Sequence, residues 1–235
     1  VRSGSHSQRG SALVYILIAI ALLAALTVTF MQPSSQQTSS QNTFKAASEL
    51  QGQADIVRSA IQECVLIHPK GDSTVGGTDP GYNIPYPIKP NSDHYDGPPA
   101  AVIAKTATRL VKDIRCPGDQ DGPNPNDHAK IFSGASGKYM PPPPDLFGDW
   151  QYYNAVDGVF FWIETDKSDA FIAAALEKLD EKFGECEADV IDASAAAVDL
   201  DSGTTIACPS GSLCFRVWMI ANASASGPHQ DAGCP

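Results

Sequence analysis

Basic residues are scarce in this sequence: 16 Lys and Arg stand against 27 Asp and Glu, giving a net charge of −11. With that scarcity no nucleic-acid partner is expected, because phosphate binding needs a basic footprint. Acidity of this size keeps an exported domain soluble. Catalytic signatures are missing too. There is no H-E-x-x-H and no G-x-S-x-G, and His68, His94, His128 and His229 are scattered through loop-like stretches. The run "SGASGKY" fails as a phosphate loop, because Phe132 stands where the first glycine belongs and Tyr139 follows Lys138. No enzymatic activity, cofactor or metal is expected.

Formal charge is absent from residues 11 to 31, a run of 21 positions. As a helix this run spans about 31 Å, the thickness of a bilayer's hydrocarbon core. A secretory signal has a shorter apolar stretch of about 7–15 residues and a small-residue exit site. Ala24-Ala25-Leu26 is a poor match to such a site, and no cysteine follows that would be lipidated. Arg2 and Arg9 precede the run, and the next basic residue is Lys45. This bias predicts a single span with the N-terminus in the cytoplasm and the rest outside.

All six cysteines (Cys64, Cys116, Cys186, Cys208, Cys214 and Cys234) lie beyond that run, and none forms a C-x-x-C pair. An even count outside a membrane reads as disulfides. Sequence does not dictate their connectivity. Six cysteines allow 15 arrangements; one of them would join Cys64 to Cys116, Cys186 to Cys208, and Cys214 to Cys234.

After Pro33 a polar run leads into a helical pattern that extends to Leu66. Phe44, Ala47, Leu50, Ala54, Val57, Ile61 and Cys64 or Val65 recur every three or four residues and define one face. That face needs a folded partner. Pro33 predicts a kink, local melting or a break into two helices. Residues 68–100 are rich in Pro, Gly, Asp and Asn and read as a long irregular excursion. Residues 101–114 fit a short helix or a strand equally well.

Two aromatic and β-branched runs, 150–154 and 159–165, flank "AVDG" and predict a hairpin. "VFFWI" is apolar on both faces, as a covered central strand would be. Trp150, Tyr152, Tyr153, Phe160, Phe161 and Trp162 are read as core rather than as a binding patch. "SDAFIAAALEKLDEKFG" predicts an amphipathic helix capped by Ser168 and ended by Gly184, with Ile172, Leu176, Leu179 and Phe183 on its apolar face. A last strand follows at 213–221. Asp119, Asp121, Asn124, Asn126 and Asp127 crowd one loop. Their spacing is not that of an EF-hand, and prolines interrupt it, so a solvated turn is preferred to a calcium site.

The N-terminal third resembles the prepilin class, the type IV pilins and type II secretion pseudopilins. The features that carry the resemblance are a short basic leader ending in Arg9-Gly10, an unbroken apolar helix, Pro33, and a continuing amphipathic helix. "YMPPPPDLFGDWQYYNAVDGVFFWIE" is similar to the proline-rich approach and hairpin of a minor pilin-like head. The resemblance covers residues 1–66 and, less closely, 139–221. It implies cleavage between Gly10 and Ser11 by a prepilin peptidase. It also implies that the apolar helix serves first as anchor and then as filament core. Family members usually carry glutamate at the fifth mature position, where it neutralises a neighbour's N-terminal ammonium. Tyr15 stands there instead, and Ser11 replaces the usual phenylalanine or methionine at the first. The departure implies a minor, tip-like subunit. The class is prokaryotic, so the Asn222-Ala223-Ser224 sequon is not expected to be glycosylated.

The expectation is therefore an α+β, pilin-like fold. A long N-terminal helix packs its outer half on a small antiparallel sheet, with an extra helix before the last strand. Residues 1–10 form the leader, 11–31 the spanning helix, 32–66 its amphipathic continuation and 67–235 an exported, disulfide-bonded head. The expected partners are other pilin or pseudopilin subunits, prepilin peptidase and the inner membrane. The competing reading is an anchored periplasmic or extracellular binding domain that never polymerises.

Overall fold

The computed structural model describes residues 9–31, 35–67, 108–120, 128–134, 136–155, 158–184, 186–201, 206–221 and Cys234. The chain divides into two compact units, Val1–Asn42 and Thr43–Pro235. The first contains α1 (Arg9–Met31) and the start of α2 (Ser35–Ile67). The break expected at Pro33 lies outside the described residues. Leu, Ala and Ile dominate α1, so it is helical by propensity and apolar all round rather than amphipathic. Among the described residues no helix is long and apolar enough to cross a membrane. Side chains of α1 are described over residues 13–27 only, and the uncharged run of the sequence extends past both limits.

The second unit is an α+β head. Its main sheet has five antiparallel strands in the order β1 (Thr108–Leu110), β4 (Gln151–Ala155), β5 (Gly158–Thr165), β9 (Ser212–Ala221) and β6 (Ala188–Ala193). The 3₁₀ turn Val111–Asp113 follows β1, so the described part of the ambiguous 101–114 segment is a short strand and a turn, and residues 101–107 lie outside the described residues. A separate ribbon pairs β2 (Arg115–Gln120) with β3 (His128–Lys130). A second ribbon pairs β7 (Val198–Asp199) with β8 (Ala207–Cys208). The expected hairpin is present as β4 and β5, in register from Gln151–Trp162 to Ala155–Gly158. β5 lies between β4 and β9 and is buried on both faces, as "VFFWI" required.

Each face of the sheet covers its own core. On one, Tyr152, Val159, Phe161, Ile163, Phe215 and Val217 meet the inner stripes of α2 and of α3 (Ala170–Asp180). On the other, Tyr153, Phe160, Trp162 and Trp218 cluster with Ile191, Leu200, Cys208 and Cys214. Every one of the six aromatics at 150–162 is buried.

The structure corrects several expectations. The inward stripe of α2 is Thr43, Ala46, Leu50, Ala54, Val57, Ala60, Ile61 and Cys64. Phe44 is not part of it: the ring is 61% exposed, with the Lys178 ammonium 5.0 Å from its centroid. Thr43 takes the inward place and donates to the Phe171 carbonyl at 3.3 Å. The N-cap of α3 is Asp169, not Ser168, and the helix ends at Asp180, before a turn that carries the chain to Gly184. Three strands, β6 to β8, separate α3 from the last strand, which the reading placed next to it. β6 was hidden because "ADVIDA" carries Asp189 on an inward position, which spoils the apolar alternation.

Cys64 joins Cys116 as expected, but the other four cysteines exchange partners: Cys186 pairs with Cys234 and Cys208 with Cys214. Cys208 and Cys214 are both fully buried in the second core. There the turn from β8 to β9 brings their Cα atoms to 6.0 Å.

Candidate functional site

Two surfaces stand out among the described residues. The first is α1. Leu13, Val14, Tyr15, Ile16, Leu17 and Ile18 follow one another in sequence, and all are exposed, Tyr15 to 70%. Leu22, Leu23 and Leu26 continue the exposure one to two turns on. Consecutive helical positions point about 100° apart, so the whole circumference is apolar. Contiguous exposed apolar area of this extent exceeds the singly scattered apolar residues of an ordinary surface. Gly10 and Ser11 lie in its first turn, and Tyr15 lies one turn beyond Ser11. The surroundings of Gly10 and Ser11, and the whole of Pro33, are outside the described residues.

The second surface is the part of α2 that belongs to the head. Its inner stripe is rich in alanine, which lets the helix approach the sheet closely but buries little area per residue. Polar contacts supplement it. Gln53, buried, donates to the Pro142 carbonyl at 2.7 Å and accepts from the Trp150 indole N–H at 2.7 Å. Glu63 pairs with Lys138 at 2.8 Å, and Arg58 with Glu187 at 3.3 Å. The Gly184 N–H, and then Arg58, hold the Glu187 carboxyl below its usual pKa. Outward from this seam, an open groove of about 460 Å³ runs between α2 and the proline run 141–144. Gly52 lies on its floor with open space above its Cα.

Other polar groups are buried and paired inside the head. Arg216 is fully buried: its Nε donates to Asp189 at 2.9 Å, its Nη2 to the same carboxylate at 2.5 Å, and its Nη1 to the Leu200 carbonyl at 2.5 Å. The guanidinium also lies 5.2 Å from the Phe160 ring and 4.6 Å from that of Trp218, a cation–π arrangement. Asp201, buried, accepts from the Tyr153 hydroxyl and the Ile206 N–H. In "SGASGKY" Gly134 and Gly137 have positive φ, and the Gly137 N–H donates to the Gly134 carbonyl at 3.0 Å. The Ser136 hydroxyl donates to the Ile131 carbonyl, which precedes the segment. Among the described residues no group of three His, Cys, Asp or Glu is placed to hold a metal. Asp121, Asn124, Asn126 and Asp127 of the acidic loop lie outside the described residues, as do His68, His94 and His229.

Reading the sequence did not single out Gln53, Arg216 or Asp189. Gln53 was detectable as a polar residue inside an otherwise apolar helical stripe. Arg216 was detectable as the one charge inside the apolar strand "LCFRVWMIA". No family model, curated protein or solved structure matches this chain.

Proposed function

We propose that this chain is a minor subunit of the type IV pilin and pseudopilin class. It is held in the inner membrane by α1 before assembly and joins a pilus or secretion filament afterwards. The observation that supports this reading most is the contrast between the two helices. α1 is apolar on every side, whereas the head-borne part of α2 has one buried stripe and a polar outer face. An apolar cylinder is stable in a bilayer, and outside it only where similar helices surround it. The same residues then serve as anchor and as filament core, and the head stays in the periplasm or on the filament surface.

In this reading the peptidase cuts between Gly10 and Ser11, and Tyr15 occupies the place where shaft subunits present a carboxylate. N-terminal sequencing of protein extracted from membranes tests it directly. A start at Ser-Ala-Leu-Val is expected. An intact Val-Arg-Ser start in cells with active prepilin peptidase overturns the pilin reading in favour of a plain anchored binding domain.

A further inference from the structure

Two of the three bridges span long stretches of chain: Cys64–Cys116 joins residues 52 positions apart, and Cys186–Cys234 residues 48 apart. A pull on the two ends of the chain follows the shortest covalent route between them. That route enters along α2, crosses the sulfurs from Cys64 to Cys116, and continues through β2, β3, β4, β5 and α3 to Cys186. There it crosses to Cys234, one residue from the C-terminus. Everything between Cys64 and Cys116, and everything between Cys186 and Cys234, lies off the route.

The second bypassed segment contains β6, β7, β8 and β9. β9 is bonded on one side to β5 and on the other to β6, so it joins the two halves of the sheet. The first bypass begins where α2 leaves its seat, at the C-terminal end of an alanine-rich stripe. We infer that these two bridges form a load-shielding device. Tension entering through α2 is passed covalently to β2, and β9 and β6 cannot be drawn out of the sheet from the C-terminal end. The non-covalent seat of α2 can peel as far as Cys64 and no further. Its use in the cell rests on the filament reading above, whereas the shielding itself follows from connectivity.

The test is single-molecule stretching of the full-length chain in detergent micelles, with handles at its two ends and a phosphine reductant added while force is held constant. The oxidised chain should first unfold to an extension well short of the full 235 residues. Reduction should then add about 170–190 Å for the 52-residue bypass and about 160–170 Å for the 48-residue bypass, the latter in one step if the nested Cys208–Cys214 bridge opens first and otherwise as about 140–150 Å followed by about 20 Å. Full extension before reductant, or no steps after it, overturns the inference. The double substitution Cys64→Ser, Cys116→Ser should abolish the larger step and lengthen the oxidised chain by the same amount. If that variant does not fold, the wild-type steps still decide. Failure of the filament reading would appear in N-terminal sequencing and leave the step sizes unchanged.

Discussion

Gln53 on α2 and Trp150 at the start of the β4–β5 hairpin are 97 residues apart in sequence, yet the amide oxygen of one accepts the indole N–H of the other at 2.7 Å. The same amide donates to the Pro142 carbonyl, so one side chain fastens the helix to both the sheet and the proline run. Gln53→Leu removes both bonds and leaves a buried indole N–H without its acceptor. The head should lose about 1–3 kcal/mol, read as a lower denaturant midpoint at unchanged slope. Trp150→Phe in the Gln53→Leu background should cost less than the sum of the two single changes, because the orphaned donor is then gone.

The Arg216–Asp189 pair is fully buried on both sides. Asp189→Ala leaves a guanidinium in the core without the carboxylate that accepts from its Nε and Nη2, and about 3–5 kcal/mol of stability should be lost. Replacing both residues by apolar side chains of similar size should recover much of that loss. A double variant as unstable as Asp189→Ala would show that the pair does more than neutralise a buried charge.

Two glycines should respond in opposite directions. A Cβ at Gly52 meets nothing within 4 Å, so Gly52→Ala should stabilise α2 by roughly 0.5–1 kcal/mol. A Cβ at Gly158 would come within 2.5 Å of the Ile220 carbonyl oxygen and 2.8 Å of the Trp218 ring, beside the irregularity in the β5–β9 register. Gly158→Ala should lower the melting temperature by several degrees, as expected for about 1–3 kcal/mol of backbone and ring displacement.

Glu187 contributes a small acid sensitivity. Its carboxyl titrates below the ordinary value of 4.5 because it accepts from the Gly184 N–H and faces Arg58. Stability from a depressed carboxyl is present above the unfolded pKa and is lost as the pH falls through the folded one. The side chain is 48% exposed, so screening should hold the effect below about 1 kcal/mol. Glu187→Gln should flatten the stability curve below about pH 4.5 and leave its slope near neutrality unchanged. An unaltered acid limb would show that the contact contributes nothing.

Tyr15 makes the filament reading quantitative. A shaft built from this chain alone would bury one N-terminal ammonium per subunit without the carboxylate that family members supply, at a cost of several kcal/mol. Purified filaments should therefore hold this protein far below the major subunit, and overexpression of it alone should yield none. Homopolymeric fibres of the wild-type chain would refute the minor-subunit assignment. Tyr15→Glu should permit incorporation along the shaft.

Much of this molecule was settled by local sequence pattern. The uncharged run from residue 11 to 31, the three- and four-residue spacing from Leu50 to Cys64, and the paired aromatic runs around residues 156 and 157 each carry their period within a few turns. Helix, hairpin and covered central strand follow from that. Tertiary structure alone decided what depends on residues distant in the chain. It placed Thr43 inward and left Phe44 under Lys178, because the helix register there is set by contact with α3. It made Asp189 an interior residue, because Arg216 on the neighbouring strand offsets the charge that hid β6 from the pattern. It also chose Cys234 for Cys186 and Cys214 for Cys208, because pairing depends on which Cα atoms folding brings to about 6 Å, and spacing along the chain does not encode that distance.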